Sequence, residues 1–335
     1  MKVHSTNEYG KLKSVVLGRP DNAVYPQGDR YYTQWIVGNN KYKKTDATIP
    51  EDVIKDSADD LFAIKDLLED EDITIYRPEI TNHETMHVDD RFETTGFNSW
   101  NSRDFLFTLD NLVIECPVPF SSKRRESVAY QDVKSQAIKD GVRWISAPTP
   151  PMEPMEAVWK LDRVQLAERY PIFIGSNILK FDDKLLYFKG STNNEVGAKW
   201  LQSVVGSAYE VIVWDKMDPN HNLDFVINPI GKDLLLLNAE RITSADRLPK
   251  FLRGYRKIWI QSCKESSHYG WPMSSAWTGM NTLCLGENKV MVDIEQKDLI
   301  KNLRSENIQC IQVSLKNAQT FGGGLHRIIT DLERS

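Results

Sequence analysis

Near the end of the chain, Thr320-Phe321-Gly322-Gly323-Gly324-Leu325-His326-Arg327-Ile328-Ile329-Thr330-Asp331 sets three consecutive glycines beside a His-Arg pair. Glycine opens backbone conformations closed to residues with a Cβ and lets another group come close. The stretch therefore reads either as a loop that delivers a side chain into a pocket or as a plain C-terminal turn. Imidazole carries protons near neutral pH, so His326 is a candidate acid–base group. A guanidinium stays charged and serves as neither nucleophile nor base, so Arg327 is a candidate for holding a ligand or a carboxylate. His83-Glu84-Thr85-Met86-His87 satisfies H-E-x-x-H, with Asp89 or Asp90 as a further oxygen ligand. That zinc chemistry needs a helix to bring both imidazoles to one face, and the segment follows Arg77-Pro78 without apolar periodicity. A solvated loop without metal is expected there.

The cysteines Cys116, Cys263, Cys284 and Cys310 are scattered, with no C-x-x-C pair. Such residues behave as small apolar groups when buried, and reduced thiols are expected. Only Cys263, in the more polar segment Gln261–Tyr269, is a candidate nucleophile.

Positioning these groups falls to a unit that recurs five times, a helical stretch followed by a β-rich run. The helices are expected over Ile54–Leu68, Tyr130–Asp140, Glu195–Val205, Leu248–Tyr255 and Lys297–Ser305, from their apolar spacing. The strands that follow are Ile73–Tyr76, Val142–Ile145, Glu210–Trp214, Lys257–Ile260 and Ile308–Val313. Between the units, hairpins span Asp104–Glu115, Ile178–Phe188, Phe225–Leu237 and Thr282–Val292, turning at Asp110-Asn111, Asp182-Asp183, Gly231-Lys232-Asp233 and Gly286-Glu287-Asn288. Lys13–Gly18 is a matching strand for the first unit. Repetition of one module favours a closed ring with approximate fivefold symmetry, one domain over 1–335. Asp104, Asn177, Asp224 and Asn281 each precede the first strand of a hairpin, so equivalent placement makes these four converge near the ring axis.

Composition is that of an ordinary globular chain: 335 residues, 41% hydrophobic, 27% charged, net charge −5. That balance gives no footprint for nucleic acid or an anionic membrane. No apolar run approaches a bilayer span, and the first residues lack a signal-peptide core. A cytoplasmic protein acting on a small molecule is expected, with no cofactor and no metal.

Nearly the whole chain resembles the amidinotransferases, of the glycine and inosamine-phosphate kinds. The resemblance runs from Asn7-Glu8, Val15–Arg19 and Asn22-Ala23 through Arg77-Pro78, Ser102-Arg103-Asp104 and Ile114–Pro117. It continues over Asp218-Pro219, Asp224, Asn228, Gly231, Asn238 and Arg241, then Met273–Trp277, Met280-Asn281, Val290–Asp293 and the glycine stretch. It implies the pentein-type α/β propeller with a central active site, and relatives are often dimers, so a homodimer is admissible. It also implies transfer of an amidino group from arginine to an amine through a covalent amidino-cysteine, which needs a thiolate, a proton-carrying His and carboxylates around the planar guanidinium.

Carried over residue by residue, Asp104 matches a guanidinium-binding Asp and Asp224 the Asp two residues beyond the family's His. Arg241 matches the Arg that holds the substrate carboxylate, and Ser275 lies in a segment touching the same end. The nucleophile position carries Arg327, the supporting Asp position Asn177, and the His position Asn222, or His221 if a bulge shifts the register. Buried without partners Arg327 would be costly, so Asp104 and Asp224 are expected to pair with it. Alternatively Arg327 and Arg241 together form an anion pocket for an acidic amino acid or a phosphate. Three functions are open: altered, non-cysteine chemistry on an arginine-like or other amino-acid substrate, toward which the reading leans, with His326, His221, Asp104 and Asp224 as acid–base groups; a non-catalytic binding or regulatory relative; and amidinotransfer with a relocated thiol. Asn177, Asn222, Asn281, Arg241, Ser275 and Arg327 are the candidate binding residues.

Overall fold

The structure is a computed structural model and describes residues 1–29, 31–32, 48–88, 92–149, 157–160, 163–270 and 272–335. Its β-structure is dominated by five three-stranded sheets, and each joins an antiparallel pair to a third, parallel strand. Four of them follow chain order: Leu106–Leu109, Leu112–Glu115 and Arg143–Ser146; Ile178–Phe181, Lys184–Phe188 and Glu210–Trp214; Ile227–Gly231, Leu234–Asn238 and Arg256–Ile260; Leu283–Gly286, Lys289–Asp293 and Gln309–Val313. The fifth draws on both chain ends, with Leu12–Leu17 between Ile329–Arg334 and Thr74–Tyr76.

The hairpin turns have a local cause. Asp110, Asp182 and Asn288 take left-handed φ values of 49°, 56° and 56°, a conformation that Asp and Asn tolerate better than other non-glycine residues. Long crossovers then return the third strand parallel to the second. Glu195–Val205 shows why such a crossover is helical. Asn194 caps it by accepting the Gly197 amide at 2.8 Å, and Gly206 ends it at φ 67°. Glu51–Asp70 buries Leu61, Ile64 and Leu68 beneath an acidic outer face, each side chain contributing about 1.5–3 kcal/mol. Ile54, expected on that face, is only half-buried.

Two expectations need correction. Leu248–Tyr255 is not a helix. Pro249 and Gly254 leave only the short 3-10 turns Ala245–Arg247 and Lys250–Leu252. The terminal stretch is more ordered than a loop: Ala318–Phe321 and Leu325–Ile328 are single helical turns leading into the strand Ile329–Arg334.

Each sheet's first strand is entered through a short turn, and these turns meet one another. Ser102–Phe105 packs on Gly175–Asn177, that on Leu223–Phe225, and that on Ala276–Met280, while Leu325–Ile328 packs on Ser102–Phe105. The candidate residues ride on these turns.

Candidate functional site

Arg327 is 4% exposed and reaches into the space between two of the short turns. Gly322 and Gly323 make its position possible. Gly322 has φ 82°, and a Cβ on Gly323 would stand 1.9 Å from Asn101 Oδ1 and 2.6 Å from Arg327 Cδ. The Arg327 amide donates to Asn281 Oδ1 at 3.0 Å, which fixes the root of the side chain.

The guanidinium is surrounded. Nε lies 3.3 Å from Asp104 Oδ1 and 3.4 Å from Asp224 Oδ2, in ion-pair range but too poorly aligned for hydrogen bonds. Nη1 donates to the Gly322 carbonyl at 2.8 Å. Nη2 donates to Ser176 Oγ at 3.1 Å and to Asp224 Oδ1 at 3.5 Å. Ser176 Oγ in turn donates to Asp104 Oδ1 at 2.5 Å. The guanidinium carbon sits over the Phe225 ring within cation–π range. Burial would raise the Asp224 pKa, but the Arg327 charge and the neighbouring His326 and Asn281 outweigh it and hold the carboxyl below its usual range.

His326 is 2% exposed, with Nε2 3.2 Å from Glu8 Oε2 and Nδ1 3.8 Å from Asp224 Oδ2. Among the described residues neither that Nδ1 nor that Oδ2 has a hydrogen-bond partner. Glu8 belongs to a buried ionic cluster behind the site. Arg103 donates to Glu8 and, at 2.7 Å, to Asp331, while Lys180 and Arg334 donate to Asp331 at 2.8 and 2.9 Å. Burial alone would raise the Glu8 carboxyl, yet Arg103 and Lys180 bring it down to about 2.

Asn177 and Asn222 form a neutral pair one step away. Asn177 Nδ2 donates to Thr192 Oγ1 at 2.7 Å and to Asn222 Oδ1 at 3.4 Å, and its Oδ1 accepts the Leu223 amide at 2.6 Å. His221 points elsewhere, with Nδ1 3.7 Å from Asp218. Burial and the nearby Arg241 lower its pKa. The strand begins only at Ile227, so strand register does not decide between His221 and Asn222.

Arg241 lies outside this cradle. It pairs with Glu240 at 3.3 Å, and Glu240 also accepts the Trp277 indole N–H at 2.8 Å. Ser275 is exposed at the start of the Ala276–Met280 turn. The structure thus groups Arg327, Asp104, Asp224, Asn281 and His326 tightly, with Asn177 and Asn222 adjoining, and His221 near Arg241. Ser176, Phe225 and Glu8 complete the site and were not anticipated. Of these, only Glu8 carried a signal, through the match of Asn7-Glu8 to the family's opening.

No thiol joins the group poised for attack. Burial raises all four pKa values, Cys263 to about 12, with Asp104 adding to the shift at Cys116. His83 and His87 do not share a helix. The former is buried with Nε2 on Thr81, contrary to the expected solvated loop, and the latter opens the strand His87–Val88. Asp89 and Asp90 lie outside the described residues. Among the described residues no three His, Cys, Asp or Glu side chains cluster as metal ligands. No helix there is long and apolar enough to cross a membrane.

No family model matches the chain. It is 30% identical over 344 residues to inosamine-phosphate amidinotransferase 1 of Streptomyces griseus, covering 98% of this chain and 96% of that one. It is 27% identical over 356 residues to the mitochondrial glycine amidinotransferase of Xenopus laevis, covering 99% and 83%. The solved inosamine-phosphate amidinotransferase of Streptomyces griseus superposes with a TM-score of 0.95 at 29% identity, over 99% of this chain and 97% of that one.

Proposed function

Since this chain belongs to the amidinotransferase family, we propose that it is a member whose guanidinium cradle is filled by its own Arg327, and which binds a small amino-acid-like molecule without amidino transfer through a cysteine. The observation that carries this is the seat of Arg327 between Asp104 and Asp224, over the ring of Phe225. On the family pattern Arg327 stands at the nucleophile position, and Asn177 and Asn222 replace the acid and base that would serve a thiolate. A permanent cation in ion-pair range of both carboxylates takes the place that a second guanidinium would need. Arg241, half-exposed beside His221, supplies a cation for a ligand carboxylate. We read the five sheets as one ring-shaped domain over 1–335, with this site at its axis.

A second reading has one observation in its favour. His326 Nδ1 and Asp224 Oδ2 are buried 3.8 Å apart, and both lack hydrogen-bond partners among the described residues. Such a pair can pass a proton to a bound substrate, which is what altered, non-cysteine chemistry requires.

The deciding experiment incubates the protein with arginine, ornithine, glutamate and phosphorylated amines, reading binding by calorimetry and turnover by mass spectrometry. Binding that is lost in Arg241→Ala, without turnover and without ornithine from arginine plus amines, supports the binder. Turnover that survives Cys263→Ala and stops in His326→Gln replaces it with the second reading. Ornithine formation that stops in Cys263→Ala overturns both.

A further inference from the structure

Glu240 and Arg241 follow the strand Leu234–Asn238 on a turn that Asn238 holds in place. Asn238 is 1% exposed, and its Oδ1 accepts the amides of Glu240 at 3.0 Å and Arg241 at 3.2 Å. Its Nδ2 donates to the Phe225 carbonyl at 3.3 Å, which fastens this turn to the one carrying Asp224 and Phe225. From the turn Ala276–Met280, Trp277 donates its indole N–H to Glu240 Oε2 at 2.8 Å. The other oxygen, Oε1, lies 3.3 Å from Arg241 Nη2. Two of the short turns thus set a carboxylate and a guanidinium side by side.

Both groups have capacity left. The Arg241 and Glu240 side chains are 30% and 54% exposed. Among the described residues the Arg241 side chain donates no hydrogen bond, and only its Nε is buried, so both Nη atoms reach solvent. An ionised carboxylate offers about four acceptor sites and a guanidinium five N–H donors, so the ion pair leaves each group room for a further partner.

The balance of charge selects the ligand. Arg327 adds no second cation here, because Asp104 and Asp224 lie in ion-pair range of it. His221, its pKa lowered by burial and by Arg241, is an uncharged ring at neutral pH. Asp218, with Oδ1 3.7 Å from His221 Nδ1, adds negative charge on that side. A dicarboxylate or a phosphate would therefore meet one guanidinium among carboxylates, and like-charge contacts are costly. An α-amino acid instead carries one charge of each sign on either side of a single carbon. Standard bond lengths place its nitrogen about 3 Å from the nearer carboxylate oxygen, which matches the 3.3 Å between Glu240 Oε1 and Arg241 Nη2.

We propose that Glu240 and Arg241 together receive the zwitterionic head of an α-amino acid, with its carboxylate on Arg241 and its ammonium on Glu240. This rests on the reading of Arg241 given above and adds Glu240 as the group that requires a free α-amine.

The test titrates L-norvaline into the full chain by calorimetry. Pentanoate, which lacks the amine, butylamine, which lacks the carboxylate, glutarate and inorganic phosphate serve as comparisons. Norvaline binds, and each of the four binds about tenfold or more weakly. Glu240→Gln weakens norvaline by about tenfold or more and leaves the residual affinity for pentanoate as it was, since glutamine still accepts the Trp277 N–H. If Glu240 only oriented Arg241, pentanoate would lose as much as norvaline, and the proposal would fall. Absent norvaline binding, pentanoate binding as tightly as norvaline, or tighter binding of glutarate or phosphate also overturns it. Norvaline affinity lost in Arg241→Ala yet indifferent to Glu240→Gln overturns this inference and leaves the reading of Arg241 intact. Affinity indifferent to Arg241→Ala overturns that reading as well.

Discussion

The guanidinium carbon of Arg327 lies 4.8 Å from the centre of the Phe225 ring, on the same short turn that carries Asp224. One turn therefore presents both an aromatic face and a carboxylate to a single planar cation. Neighbouring residues in one turn give the cation its orientation, and Asp104 and Ser176 from two other turns close around it.

Removing that cation should be costly. In Arg327→Ala, Asp104 and Asp224 face each other in a buried space without the charge between them, and stability falls by about 3–5 kcal/mol in urea denaturation. Millimolar methylguanidinium then raises the melting temperature of the variant and leaves that of the parent protein unchanged. A variant as stable as the parent would show that the ion pairs contribute nothing net.

Gly323 tests the close approach. A Cβ there meets Asn101 Oδ1 and Arg327 Cδ, so Gly323→Ala costs about 1–3 kcal/mol through overpacking. Gly254→Ala, where an added Cβ meets nothing within 4 Å, changes stability by less than about 0.5 kcal/mol. Equal melting temperatures for the two variants would refute the crowding seen at Gly323.

The buried cluster behind the site sets an acid limit. Glu8 titrates at an ordinary 4.5 when unfolded and about 2 when folded, and Asp331 is likewise held well below its ordinary value. Depressed carboxyl pKa values give stability that is fully present above the unfolded value and is lost as pH falls through the folded one. The part of the unfolding free energy that these two carboxylates contribute should therefore be level above about pH 5 and decline from there toward pH 2. Glu8→Gln shallows this decline while lowering stability at pH 7, because Arg103 loses a partner.

The thiols provide a chemical check. All four cysteines are free, and burial pushes their pKa values up, so little thiolate exists near neutral pH. Iodoacetamide at pH 8 should modify the native protein slowly and the urea-unfolded protein rapidly at all four positions. Fast selective labelling of Cys263 in the native state would revive it as a nucleophile.

Much of the scaffold was legible because its signals are local. Asp110, Asp182 and Asn288 announce hairpin turns, and apolar spacing marks Glu195–Val205, which the structure bounds at the same residues. Leu248–Tyr255 misled because apolar spacing survives in a segment where Pro249 and Gly254 prevent a continuous helix. Ile329–Arg334 escaped notice since its partner, Leu12–Leu17, lies at the other end of the sequence. At the site, a buried charge on Arg327 demanded carboxylate partners, and the resemblance pointed to Asp104 and Asp224 as those partners. Ser176 and Phe225 were beyond reach. A serine and a phenylalanine carry no chemical signal until folding sets them against a guanidinium.

The three-glycine bend ties Arg327 to its seat by a few rigid bonds, and tethering changes the terms of competition. A free cation must arrive from dilute solution, whereas the attached one is presented at an effective concentration that no dissolved metabolite matches. Ordinary swings in cellular arginine should therefore leave this seat undisturbed.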